Sequence, residues 1–218
     1  RNGAGRGAVA FGTAAFYSAA MTDISSIAGL VLAGGLSRRM GGADKALIEI
    51  GGVPLVTRAV RRLAPQVAEV ILNANGDPVR FASLGLPVVA DVVAGHAGPL
   101  AGVLTGLEWL AANRPAIGWM ATVPTDSPLF PHNLVARLAE AGAPLAVACS
   151  QGRIHPVFAL WRLDLLDRVR ALVASGERRM GMAAEMLGAA RVEWPNDPFV
   201  NVNTPGDLAA LDAAMLES

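Results

Sequence analysis

Apolar residues fall along this chain in short continuous runs, each closed by a cluster of glycine, proline or polar residues. The first run, 27–32, reads Ile-Ala-Gly-Leu-Val-Leu, with no alternation of polar and apolar positions, which predicts a strand buried on both faces. A glycine-rich stretch follows, and then a short strand-like piece over 46–50 that turns at Gly51-Gly52. Pro54 is suited to a helix start, and Leu55, Ala59, Val60 and Leu63 share one face of a helix ending near Pro65. Runs at 70–72, 87–90 and 117–123 predict further strands, separated by helices over about 98–113 and 131–141. Beyond them, strands are expected at 145–148, 157–161 and 191–194, helices at 163–175 and 180–187, and a last helix entered through Thr204-Pro205.

Strand alternating with helix in this way predicts an α/β fold, a three-layer α/β/α sandwich on a mostly parallel, mixed sheet of Rossmann-like character. The length of 218 residues fits one domain. Residues 1–20, rich in Ala and Gly, have the outline of a signal peptide, but Gly12, Thr13 and Ser18 dilute the apolar segment. They are read as an extension without a role in the fold, with a single domain over 21–218.

Composition narrows the function. Hydrophobic residues make up 53% and aromatics only 5%, so Val, Leu and Ala build the core. Lys plus Arg and Asp plus Glu are equal at 18 each, which removes the basic excess expected of a nucleic-acid or anionic-membrane partner. No run approaches the roughly 18 apolar residues of a membrane span. A single cysteine, Cys149, cannot form an intrachain disulfide, and a reduced cytoplasm is expected.

In an open α/β sheet, ligands bind beyond the carboxyl ends of the strands. At those ends the sequence places Lys45, Asn73, Asp91, Asp126, Asn201 and Asn203. The loop after the first strand, Gly34-Gly35-Leu36-Ser37-Arg38-Arg39-Met40-Gly41-Gly42-Ala43-Asp44-Lys45, combines glycines that let backbone N–H groups converge on an anion with cations that neutralise it. It is not a Walker loop, because Lys45 lies between Asp44 and Ala46 where Gly-Lys-Ser/Thr would stand. It is not a dinucleotide fingerprint either, since Gly-x-Gly-x-x-Gly is absent and the second strand ends in Asn73 rather than an acid.

Asp126, between Thr125 and Ser127 in a segment flanked by Pro124 and Pro128, suits a Mg²⁺ shared with substrate phosphates, against the alternative of a helix cap. Asp91 reads equally as a site residue or a turn residue. Asn201 and Asn203 would project from one face of a strand, where paired amides can hold a heterocycle or a phosphate. His96, His132 and His155 show no zinc spacing; His155, before Pro156, is the one of the three to watch. Cys149 reads as a buried strand residue, and Arg178-Arg179 as either a solvated helix end or a basic arm over an anionic substrate.

Leu32-Ala33-Gly34-Gly35, Arg38-Arg39-Met40-Gly41-Gly42, Asp44-Lys45, Gly98-Pro99-Leu100-Ala101-Gly102, Pro124-Thr125-Asp126, His155-Pro156 and Asn201-Val202-Asn203-Thr204-Pro205 together resemble the molybdenum cofactor guanylyltransferase (MobA) family, over about residues 24–212. The resemblance implies a nucleotide-diphospho-sugar transferase-like fold and transfer of GMP from GTP to the phosphate of molybdopterin, releasing pyrophosphate. It implies that Leu32, Ala33, Gly34, Gly35, Lys45, Asn73 and Asp91 contact GTP, that Asp126 binds Mg²⁺, and that Asn201 and Asn203 lie on the molybdopterin side. Lys45 and Arg39 would hold phosphates, with Asp126 as the third member of the catalytic group; Arg38 is unassigned. Thr125 departs from the small or Cys residue associated with some members, which touches no proposed ligand.

Transient contact with molybdenum cofactor biosynthesis proteins or apo-molybdoenzymes belongs to the same expectation. A cytidylyltransferase relative would be expected to carry Leu-Ala-Ala-Gly where this chain has Leu32-Ala33-Gly34-Gly35. A sugar-1-phosphate nucleotidyltransferase and a non-catalytic nucleotide-binding partner protein stand as further alternatives.

Overall fold

A computed structural model describes residues 23–34, 44–93, 98–202 and 206–207. The anticipated roles of Gly35, Arg39 and Asn203, the 1–20 extension, and nearly all of the last helix lie outside the described residues.

Among the described residues, seven strands form one sheet: β1 (Ile27–Leu32), β4 (Glu69–Asn73), β5 (Val88–Val89), β6 (Trp119–Pro124), β7 (Leu145–Ser150), β8 (Arg153–Arg162) and β9 (Ala190–Trp194). A hairpin of β2 (Glu49–Ile50) and β3 (Val53–Pro54) stands apart from it. The helices are α1 (Leu55–Leu63), α2 (Pro99–Asn113), α3 (Leu134–Ala139), α4 (Leu166–Ala174) and α5 (Met180–Met186). Sheet order is β5-β4-β1-β6-β8-β7-β9. β8 runs antiparallel to both neighbours and the other pairings are parallel.

The apolar run of β1 is buried along its whole length because the strand is central and covered twice. Ile27, Val31 and Ala33 join one core cluster, with Val56, Ala59 and Leu63 of α1 and Leu134 and Leu138 of α3. Ala28, Leu30 and Leu32 join the other, with α2 and parts of α4 and α5. Alternate residues thus serve opposite faces, and each buried Leu or Val contributes on the order of 1.5–3 kcal/mol. The three-layer α/β/α arrangement follows, as the alternation of elements predicts.

Register brings the loops together. Leu32 is the Cα partner of Asn73 on one side and of Pro124 on the other, so the chain leaves β1, β4 and β6 at one edge. β7 lies antiparallel to β8 and parallel to β9. The carboxyl ends of β7 and β9 and the start of β8 therefore reach that same edge.

Two details differ from the sequence reading. β8 begins at Arg153, not at 157, and runs through Pro156. Its pairing with β7 slips between Val147, opposite Ala159, and Ala148, opposite His155. Pro156 falls in that break, where the missing N–H costs no ladder bond. Second, residues 199–202 form no strand. A backbone bond from Val202 N–H to Asp126 O at 2.6 Å ties them to the loop after β6, so strand alternation does not orient Asn201.

Candidate active site

At this edge lies a cleft of about 390 Å³. Leu32, Gly34, Lys45, Asn73, Asp91, Asp126 and Asn201 all border it, although they come from six separate parts of the chain. Ala33 is adjacent but turned away: it is buried, and its N–H donates to Asn73 O at 2.9 Å.

Lys45 opens a single 3-10 turn, 45–47, capped by Asp44, whose Oδ1 accepts from Ala46 N–H at 3.1 Å. Asp44 also pairs with Arg80 at 2.8 Å. The turn is therefore pinned on both sides, and the Lys45 ammonium reaches the Asp126 carboxylate at 2.9 Å. Asp126 follows Thr125, whose N–H donates to Leu32 O at 3.3 Å and so continues the β1–β6 pairing past the strand end.

Asn73 is 3% exposed, and its amide hydrogens go to Val89 O at 3.2 Å and to Asp91 Oδ1 at 2.9 Å. Only its Oδ1 is left for a ligand. Asp91 is held twice more, because Asn75 Nδ2 donates to Asp91 Oδ2 at 2.7 Å while Asn75 Oδ1 accepts from the Asp91 N–H at 2.8 Å. Its carboxylate is thus oriented by the protein's own hydrogen bonds. The first turn of α2 packs onto this network: a Cβ on Gly102 would stand 2.3 Å from Asn73 Oδ1, which is why that turn carries glycine. Gly98, at φ +77°, has no room for a side chain beside Arg178 O.

The opposite wall is β8. Residues 153–158 all border the cleft, which a regular strand would not allow, since alternate side chains would face away; the register slip at Pro156 permits it. His155 is 9% exposed and within 2.7 Å of Ser150 Oγ. Burial pushes its pKa below 6.5, the nearby Arg153 adds to that, and Asp197 and Glu193 oppose it. Asn201 Oδ1 accepts from Ser127 Oγ.

The sequence therefore pointed to several residues that border the cleft, but passed over Asn75, Arg153, Ser127, Ser150 and Asp197. Asn75, two residues past Asn73 at a strand end, carried a readable signal. The others carried none, since Ser150 and Asp197 gain meaning only from meeting at His155. Arg178 and Arg179 border a separate depression with Glu177, and Arg178 backs onto Gly98 at the cleft. There the Glu177 carboxylate, bonded to the Arg179 side chain and to both backbone N–H groups, is held down at about 2. Cys149 is a buried strand residue, its thiol pushed up by a hydrogen bond with Glu193 and by burial.

Residues 29–192 match the model of the MobA-like NTP transferase domain. The chain belongs to this family. A molybdenum cofactor guanylyltransferase of Rhodopseudomonas palustris (strain BisB5) is 50% identical over 204 residues, covering 90% of this chain and 97% of that one. Among solved structures, molybdopterin-guanine dinucleotide biosynthesis protein A from Archaeoglobus fulgidus superposes with a TM-score of 0.69 at 20% identity, over 88% of this chain and all of that chain. A CMP:2-keto-3-deoxy-manno-octonic acid synthetase complexed with CTP does so at 0.68 and 16% identity, over 88% and 99% of the two chains. These last two show the fold, a nucleotide-diphospho-sugar transferase-like one. The family match spans every described cleft residue except Asn201.

Proposed function

We propose that this MobA-like chain transfers GMP from GTP to the phosphate of molybdopterin, giving molybdopterin guanine dinucleotide and pyrophosphate. The observation that carries the reading is the 50% identity to a molybdenum cofactor guanylyltransferase over nine-tenths of the chain.

In this reaction a phosphate oxygen of molybdopterin attacks the α-phosphorus of GTP, and the bond to the bridging α–β oxygen breaks. A phosphate monoester is already largely anionic at neutral pH, so the attacking group needs no general base. The obstacle is repulsion between two polyanions. Lys45, and by our assignment Arg39, hold the triphosphate and screen its charge. Leu32, Gly34 and Gly35 take the nucleotide along the end of β1, and Asn73 and Asp91 supply preorganised polar groups on the same side. Ala33 contributes only its backbone there. Asn201 and Asn203 are assigned to molybdopterin.

Asp126 fits a divalent cation, which we take to be Mg²⁺. Its carboxylate opens into the cleft, 28% exposed, and Mg²⁺ is commonly held by one or two carboxylates with substrate phosphates and waters completing the shell. Among the described residues no group of three His, Cys, Asp or Glu side chains could hold a metal without substrate. Bound there, the ion would add positive charge to the phosphates undergoing displacement. Lys45, which pairs with Asp126 at 2.9 Å, would lie beside the same phosphates.

We place the reaction in the cytoplasm, in keeping with one buried thiol, and expect product to pass through transient contacts with molybdenum cofactor biosynthesis proteins or apo-molybdoenzymes. Among the described residues no helix is long and apolar enough to cross a membrane. The decisive assay supplies each NTP in turn with Mg²⁺ and molybdopterin and measures pyrophosphate. Release with GTP alone is expected. Release with CTP would make the chain a cytidylyltransferase, release that requires a sugar 1-phosphate would change the acceptor, and none with any pair would leave a nucleotide-binding protein.

A further inference from the structure

His155 borders the cleft, yet the chemistry above gives it no task. Its Nε2 lies 2.7 Å from Ser150 Oγ, which lies 3.0 Å from Asp197 Oδ1. A hydroxyl has one proton and a carboxylate can only accept, so Ser150 donates to Asp197 and accepts from His155 Nε2–H. The tautomer is thereby assigned, with the proton on Nε2. Asp197 itself stands 3.6 Å from the imidazole. The ring also lies against Phe199, centroids 4.7 Å apart at a tilt of 35°, and Phe199 is packed further by Phe158 at 4.7 Å and Trp194 at 5.3 Å.

These contacts fix the first half of segment 197–202. The second half is fixed by Ser127 on Asn201 and by Val202 N–H on Asp126 O. Val200, between them, is 56% exposed, and the segment has no sheet ladder to orient it. Where Asn201 points is therefore decided by its two anchors. One of them is built on His155, whose described hydrogen-bond, ion-pair and ring partners are Ser150, Asp197 and Phe199.

We propose that His155 is a positioning residue for the acceptor substrate: through Ser150 and Asp197, and by its ring on Phe199, it sets segment 197–202 so that Asn201 meets molybdopterin opposite Asp126. This rests on the guanylyl-transfer reading and on Asn201 lying on the molybdopterin side. The contact pattern makes the role selective, because the nucleotide wall is held by a different network, that of Asn73, Asn75 and Asp91.

Two variants divide the function of the side chain. His155→Phe keeps a ring on Phe199 and removes the donor to Ser150; His155→Gln keeps an amide N–H near the Nε2 position and removes the ring. GTP affinity is measured by calorimetry, and KM for molybdopterin and for GTP by pyrophosphate release. Loss of a hydrogen bond that orders a charged group is worth about tenfold, so KM for molybdopterin should rise about tenfold in His155→Phe and less in His155→Gln, with GTP affinity within about twofold of wild type. A purely structural role would weaken both substrates or neither. An unchanged KM for molybdopterin in both variants, or an equal loss for GTP, overturns the proposal. A wild-type protein that releases no pyrophosphate from GTP and molybdopterin instead overturns the guanylyl-transfer reading, and the role of His155 with it. Should His155→Phe fail to fold, Asp197→Asn reads the same anchor from its other end and should raise KM for molybdopterin alone.

Discussion

Lys45 and Asp126, 81 positions apart in sequence, meet at 2.9 Å at the mouth of the cleft. One comes from the turn after the glycine-rich loop and the other from the loop after β6, so the pair joins two walls of the cleft across the end of β1. Both groups are needed in the proposed reaction, Lys45 on phosphate and Asp126 on a cation. Removing Asp126 should therefore abolish transfer while leaving the fold intact. Asp126→Asn, which removes a negative charge facing the bound phosphates, should bind GTP more tightly than wild type in the presence of a metal chelator and yet release no pyrophosphate. Calorimetry in chelator beside the turnover assay checks both halves; near-normal turnover would remove Asp126 from the metal role.

Lys45→Ala loses a charge-assisted contact worth about 1.5–3 kcal/mol. GTP affinity should fall roughly 10- to 150-fold, with turnover falling alongside. Unchanged GTP affinity by calorimetry would take Lys45 out of the nucleotide site.

Asn75 touches Asp91 through both of its amide atoms, so Asn75→Ala should leave the Asp91 carboxylate held by Asn73 alone. We expect GTP affinity to drop about fivefold to tenfold, the scale of one ordering hydrogen bond, with little change in KM for molybdopterin. Equal effects on the two substrates would deny Asn75 a nucleotide-side role.

Gly102→Ala places a methyl group 2.3 Å from Asn73 Oδ1 and 2.7 Å from a Leu32 methyl. Such overpacking costs about 1–3 kcal/mol. The urea midpoint should fall, and GTP affinity with it, because Asn73 must leave its place beside Asp91. A stable variant with normal GTP binding would show that α2 can shift freely against the sheet.

Stability should depend on the protonation of His155. Burial lowers its pKa in the folded protein below the ordinary 6.5, so between those two values the unfolded chain binds more protons than the folded one, and stability rises with pH across that window. Acidification through about 6.5 and below should therefore destabilise the wild type. Urea midpoints at pH 7.5 and pH 5.5 should differ less in His155→Phe than in wild type. An identical pH dependence in the two proteins would count against the buried, neutral imidazole.

The chain by itself determined the strands and helices that depend on local pattern: the unbroken apolar run of β1, the helix face of α1, the extent of α2, and the polar residues closing β4 and β6. It also pointed to phosphate chemistry at a glycine-rich loop with Lys45 and a carboxylate at Asp126, two side chains that the fold brings to one cleft. What the tertiary structure alone decided depends on contacts between distant segments. The register slip in β8 absorbs Pro156 and turns six consecutive residues onto the cleft, which strand periodicity forbids. Segment 197–202 is held by side chains and a backbone bond to Asp126 instead of a strand ladder, so the expected alternation around Asn201 did not apply. Ser150, His155 and Asp197 are ordinary residues in sequence; the antiparallel insertion of β8 between parallel strands brings the end of β7 and the chain after β9 to one edge, and only there do they become a connected group.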